Sequence, residues 1–450
     1  MIMLNNPFTD YYRCPENYAN FEVSPRLSPD SGFFQVDGAV CYGRTSTGHR
    51  TQSVSDDLFD ASRDISVSEG ACILPFDPAE TAENLRCERY VQQPKSARFL
   101  RGAYYLVRPA VPAALRKRAQ RISLRDWNRI PFPHWPVDCS VEEIFECLLK
   151  LRLGGAHELP MPFIWFWPEG HQGCVIMTHD VETTVGRDFA PKLMDVNDSF
   201  GIKSSFQIVP EERYEVSQAF RRSITERGFE LNIHGLNHNG NLFATRCHFD
   251  RQIRRVNEYA KEYGARGFRS PVMYRNQEWY GALEFSYDMS VPNVAHLDPQ
   301  RGGCCTVSPY FVGNILELPL TTTQDYSLFN YICADSIELW KWQLDLILQK
   351  HGLVSFLVHP DYIVSKHRLD VYRSLLEYLT RIRVERNVWC ALPGDVDAWW
   401  RARSQMELEF RDGQWRIEGP GSERARVAFA SLADGEIIYQ VEQSHMRAVS

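Results

Sequence analysis

Between residues 174 and 403, short β-rich runs alternate with amphipathic helical patterns, and this alternation limits the fold more than any other feature of the chain. The expected strands are 174–179, 204–209, 229–233, 266–269, 315–320 and 353–358; the expected helices are 188–200, 214–227, 249–263, 334–350, 368–384 and 394–403. Residues 214–227 and 249–263 carry apolar side chains at three- and four-residue spacing, the period of a helix with one buried face. Strand then helix, repeated, implies a parallel sheet with right-handed crossovers, open or closed into a barrel. Such sheets build their sites at the carboxyl ends of the strands.

Those ends are where the chemistry-bearing residues fall. Cys174-Val175-Ile176-Met177 is apolar and suits a buried strand, and the polarity then reverses through Thr178-His179-Asp180-Val181-Glu182. In an extended chain, positions 180 and 182 share a side, so both carboxylates can reach one centre. His234-Gly235-Leu236-Asn237-His238 directly follows the run Phe229–Ile233. Two histidines four apart can converge on one cation, with a strand-end carboxylate, Asp180 or Glu182, as third ligand; such a set leaves coordination positions open, as a catalytic metal needs. Taken one at a time, each residue also has an ordinary account, as a solvated loop acid or a core histidine. Arg269 ends the next strand in Gly267-Phe268-Arg269-Ser270-Pro271, where a proline-fixed turn can hold it against a carboxylate. His359, in Leu357-Val358-His359-Pro360, has a side chain suited to giving up a proton near neutral pH.

Together these four motifs, in this order, resemble those of the polysaccharide deacetylase family (carbohydrate esterase family four, the NodB homology fold). The resemblance covers roughly residues 170–400. It implies a distorted (β/α) barrel and a divalent metal, most often Zn2+, held by a carboxylate and the two histidines. Carried over, Asp180 is the base, Glu182, His234 and His238 hold the metal, Arg269 orients Asp180, and His359 is the acid. Asp288, in Tyr287-Asp288-Met289-Ser290, falls in a segment that resembles one wall of the family's substrate groove, and Pro271, in the arginine motif, is the second expected substrate-binding residue. The first motif departs from the usual adjacent aspartates: Asp180-Val181-Glu182 leaves the ligand open between Asp180 and the longer Glu182. The implied activity is hydrolysis of acetyl groups, N-acetyl above all, on a carbohydrate. The alternatives are a metal-dependent amidase on a small non-sugar amide and an inactive, sugar-binding member of the fold.

The flanks are less regular. The expected organisation is a mixed N-terminal region over 1–165, the barrel over 166–403 and a small β appendix over 404–450. Pro112–Arg121 reads as a proline-started basic helix. Ser140-Val141-Glu142-Glu143 reads as a capping box before a helix to about Leu151. In the appendix, alternating runs flank Asp412-Gly413 and Asp434-Gly435, both hairpin signals. A net charge of −7 over 450 residues argues against general nucleic-acid binding. No window is apolar enough to span a membrane, and the N-terminus does not read as a signal peptide. A cytoplasmic protein is therefore expected, with its 12 cysteines reduced. Loose likeness of the flanks to deacetylases of surface-polysaccharide synthesis points to exopolysaccharide biosynthesis. Peripheral contact with a membrane through the basic helix stays open.

Overall fold

Every residue of Gly173–Val181 (β1) is buried, on both faces of the sheet. A strand covered on both sides must be apolar nearly throughout, and this one is until Thr178. The computed structural model describes residues 6–48, 51–54, 57–68, 71–91, 122, 124–154 and 159–442. The basic helix expected over 112–121 lies outside them. The chain divides into two compact units, one of Met1–Tyr90, Cys139–Gln172 and Ala398–Ser450, the other of Val91–Asp138 and Gly173–Asp397.

The second unit contains the curled, parallel-rich sheet. After β1 come Ser205–Ile208 (β2), Glu230–Ile233 (β3), Gly267–Phe268 (β4), Tyr287–Asp288 (β5), Tyr310–Val312 (β6), Ile315–Glu317 (β7), Leu353–Leu357 (β8) and Val388–Ala391 (β9). Their spatial order is β6-β7-β5-β4-β3-β2-β1-β8, with β9 also on β1. All pairs are parallel except β6 with β7. From β1 to β5 consecutive strands are thus neighbours, as in a β/α barrel, and the long β1 is shared. Its first half takes β8 and β9, and its last four residues take β2. Beyond β7 the seam with β8 is made largely by threonine side chains. Thr321 Oγ1 donates to the Leu353 carbonyl (2.7 Å) and accepts from the Ser355 N–H (2.9 Å). The barrel is distorted at this seam, because hydroxyls stand in for part of a backbone ladder.

The crossover helices are Thr184–Ser199 (α1), Gln218–Thr225 (α2), Arg246–Tyr263 (α3), Glu338–Gln349 (α4) and Lys366–Glu385 (α5). Three begin at side-chain caps, Thr183 for α1, Ser217 for α2 and Thr245 for α3. Three strands were not expected from sequence: β5, β6 and β9. Two are only two and three residues long, too short for a period-two pattern to register. The segment before the barrel docks on it through paired amide bonds. Asp138 donates its N–H to Asn293 Oδ1 (2.8 Å), and Asn293 Nδ2 donates to the Asp138 carbonyl (2.7 Å).

The first unit combines pieces far apart in sequence. The strand Val427–Ala433 pairs with Glu436–Val441 on one side and with Met161–Ile164 on the other, all antiparallel. The division 1–165, 166–403, 404–450 therefore differs from the compact units: the C-terminal strands are completed by residues just before the barrel. Both hairpins turn where expected. Asp412 and Gly413, like Asp434 and Gly435, have positive φ, as a two-residue turn between twisted strands requires. The helix expected after Ser140 spans Ser140–Leu153, but its N-cap is Cys139 and no side-chain cap bond forms. Ser140 is already inside the first turn, so the capping box is not made. Among the described residues no helix is long and apolar enough to cross a membrane.

Candidate metal and catalytic site

Residue alternation decides what β1 presents. Thr178 and Asp180 face one side and His179 the other, against Phe206 and Tyr372. His179 Nδ1 donates to the Val358 carbonyl (2.7 Å). Burial holds its pKa down, to about 4, so it is a neutral packing histidine despite its place in the motif. Asp180 is almost wholly buried and lies 2.9 Å from Arg269 Nη1 through Oδ1. The same guanidinium donates to Thr178 Oγ1 (2.8 Å) and, through Nε, to the Met289 carbonyl (2.9 Å). Burial alone would raise the Asp180 pKa. The Arg269 charge, with His234 and His359, more than offsets that and holds the carboxyl below its usual range.

His234 and His238 follow β3. Gly235 (φ 65°) and His238 (φ 53°) both take left-handed backbone. Such a conformation is costly for histidine and is kept where surrounding contacts enforce it. Here Arg213 clamps the loop, donating to the carbonyls of Asn237 (3.2 Å) and His238 (2.7 Å). At Gly235 a Cβ would stand 2.5 Å from Pro271 Cγ, so only glycine fits. Donor atoms of Glu182, His234 and His238 lie within 4.8 Å of one another, and among the described residues no other His/Cys/Asp/Glu group has metal-ligand geometry.

Three observations suit these residues to a divalent cation. The buried Nε2 atoms of His234 and His238 have no hydrogen-bond partner among the described residues. His234 Nδ1 is 3.1 Å from the Arg269 carbonyl, which takes its proton and leaves the lone pair on Nε2. Glu182 Oε1 is 2.9 Å from His238 Nε2 without hydrogen-bond alignment, as when two ligands aim at a third point. Burial pushes the His234 pKa down, to about 4, which keeps it neutral and able to ligate. Burial would raise the Glu182 pKa, but the His238 charge and contact bring it far below the usual value. Asp180 is engaged by Arg269, whereas Glu182 sits with the histidines; the geometry groups Glu182, not Asp180, with the ligands.

His359 completes the ring of groups. Its Nδ1 donates to Asp325 Oδ1 (2.6 Å), its N–H to Asp325 Oδ2 (2.9 Å), and its Nε2 stands 3.6 Å from Glu182 Oε1. Burial acts to lower its pKa, but Asp325 overrides burial and raises it to about 10. Asp325 was not expected from the sequence. It lies 34 positions from His359 in a stretch with no periodic signal. Asp361 was also missed, although it is two residues past His359; its carboxylate receives the Glu182 N–H (3.3 Å).

Two expected substrate residues are placed otherwise. Asp288 is fully buried and its carboxylate is filled by the Tyr280 hydroxyl (2.8 Å), the Ser290 hydroxyl (2.7 Å) and the Ser290 N–H (2.9 Å). It organises the end of β5 and has no face left for a ligand. Pro271 is buried against Gly235, so it shapes the histidine loop and does not line a groove.

By sequence, the chain matches no family model and no curated protein. By structure, it is similar to a Mycobacterium smegmatis protein named as a polysaccharide deacetylase (19% identity, TM-score 0.42, 56% of this chain and 98% of that one). It is also similar to the Puue allantoinase (15% identity, TM-score 0.42, 52% and 92%). A third is the peptidoglycan deacetylase PdaC of Bacillus subtilis (10% identity, TM-score 0.33, 52% and 93%). The likeness to polysaccharide deacetylase structures thus spans about half of the chain, at low identity.

Proposed function

We propose that the chain is a metal-dependent hydrolase that removes acetyl groups, most naturally N-acetyl groups, from a carbohydrate. The observation that carries this reading is the convergence of Glu182, His234 and His238 beside two buried pairs, Asp180 with Arg269 and His359 with Asp325. Two imidazoles and a carboxylate suit Zn2+. When bound, such a cation supplies Lewis-acid activation of water and of the amide carbonyl.

The chain's own groups divide the proton work. Asp180 is held ionised by Arg269 at Oδ1, which leaves Oδ2, on the His234 side, to take the proton of attacking water. Its low pKa suits a base that must be charged before reaction. His359 carries its second proton on Nε2, because Nδ1 is committed to Asp325. A cationic imidazole at that position gives its proton to the departing amine, so acetate and a free amino group result.

The test is purification without added metal, elemental analysis, and an acetate-release screen over N-acetylated glycans. Acetate release should depend on Zn2+ and vanish in Asp180→Ala and His234→Ala. Full activity in either variant would refute the assignment. Zn2+-dependent cleavage of small cyclic amides without acetate release from any glycan would instead support a non-sugar amidase.

A further inference from the structure

Asp361 lies in the short turn Pro360–Tyr362 that follows His359. Its carboxylate accepts three bonds from the segment beyond β1. The Glu182 N–H reaches Oδ2 (3.3 Å), the Gly186 N–H reaches Oδ1 (3.2 Å), and the Thr183 hydroxyl bonds to Oδ1. This approach depends on a glycine. A Cβ at residue 186 would stand 2.2 Å from Asp361 Oδ2. Glu182 is one residue past the end of β1, so the sheet ladder no longer sets its direction. Its side chain is also one methylene longer than aspartate and has more ways to point.

We propose that Asp361 is a positioning residue for the metal carboxylate. By fixing the backbone at residues 182, 183 and 186, it directs Glu182 Oε1 to the two histidines, and Gly186 is the space that permits it. The turn that follows His359 therefore also sets the carboxylate just beyond the end of the neighbouring strand, β1. This inference rests on the reading of Glu182, His234 and His238 as metal ligands. The competing account is that Asp361 only caps α1, since a carboxylate at a helix N-terminus stabilises the helix whatever Glu182 does.

A double-mutant cycle separates the two. Zn2+ affinity is measured by competition with a chromophoric chelator for the full chain and for Glu182→Ala, Asp361→Ala and the double variant, each checked by circular dichroism. Loss of an outer-shell partner costs roughly 10–100-fold in metal affinity. Asp361→Ala should lose that much in the wild-type background and nothing further in the Glu182→Ala background. Asp361→Asn, which keeps the volume, places an amide donor or loses charge at this contact and should give a smaller loss. Gly186→Ala should weaken Zn2+ with Asp361 intact. A cap alone would lower the melting temperature equally in both backgrounds and leave Zn2+ affinity unmoved, which would overturn the inference. So would losses that simply add. If Zn2+ does not bind the wild-type chain, the metal reading itself fails; if Glu182→Ala weakens Zn2+ but neither Asp361 variant does, only the positioning role fails.

Discussion

At His359 two opposing effects meet, and their balance sets a pH range. Burial disfavours the imidazolium, but Asp325 at 2.6 Å favours it by more, and the pKa rises to about 10. A pKa raised above its unfolded value means stability that is fully present below about 6.5 and is lost as pH climbs through about 10. Asp325→Asn should therefore destabilise the metal-free protein at pH 6, by about 3–5 kcal/mol for a broken buried pair. The effect should shrink as pH approaches 10, as read from melting temperatures across pH. The same change should move the alkaline limb of acetate release to lower pH, because His359 then loses its proton sooner. An unmoved limb would mean that His359 is not the acid. Asp180 shows the opposite balance: its pKa is depressed by Arg269. Arg269→Met leaves a buried carboxylate without its counter-charge. It should cut activity by two orders of magnitude or more and shift the acid limb upward, in line with the roughly 10²–10⁴-fold worth of a positioned base. Among these residues, His234 and His359 were legible as candidates because each directly follows an apolar run, Asp180 and Arg269 because they lie where such a run gives way to polar residues, and His238 because it stands four positions from His234. Asp325 and Arg213 were not, because they sit in irregular stretches and owe their roles to contacts made across the fold.

At the scale of elements, short strands deliver side chains and turns aim them. The loop after β3 needs Gly235, both for its φ of 65° and for the Pro271 ring packed on it. Gly235→Ala combines left-handed strain, of order 1–2 kcal/mol, with a steric clash. We expect a loss of at least about 2 kcal/mol in urea unfolding, with weakened Zn2+ binding because His238 shares the loop. The seam between β7 and β8 is a second such place. Thr321→Val keeps the shape but removes both hydroxyl bonds and leaves the buried Ser355 N–H and Leu353 carbonyl short of a partner. A cost of about 1–3 kcal/mol per unsatisfied group is expected. The strands around β1 were readable from their apolar runs, to within a few residues. Strands as brief as β4 and β5 exist because neighbours on each side pair with them. The capping box at Ser140 shows the converse: a local signal that the tertiary setting did not use, since the helix there starts one residue earlier.

For the whole molecule, the candidate site joins four strand ends of one sheet, so a metal held there would be linked to folding of the second unit. A ligand that binds only the folded state stabilises it by about 2.7 kcal/mol at a hundredfold excess over its Kd. Chelation should lower the melting temperature of the wild-type chain and added Zn2+ should restore it, whereas His234→Ala should be indifferent to both. Equal response in the two proteins would place the metal elsewhere.

The signals carried by the sequence are local. Its alternation of short apolar runs and amphipathic helices required a parallel, strand-neighboured sheet. Its Asp-Gly pairs set the two C-terminal turns, and the polar residue after each run marked the candidate site. Periodicity and turn chemistry act over a few residues, so they survive without an alignment or a fold. Long-range contacts are set by the tertiary structure: it brings Arg269 to Asp180, 89 positions apart, and Asp361 to Glu182, 179 apart. It also decided that Val427–Ala433 is completed by Met161–Ile164, that Asp288 and Pro271 are interior, and that Glu182 joins the histidines while Asp180 turns to an arginine. The reason is physical. Which carboxylate meets which cation depends on distances that pairing and burial create, and no stretch of a few residues contains them.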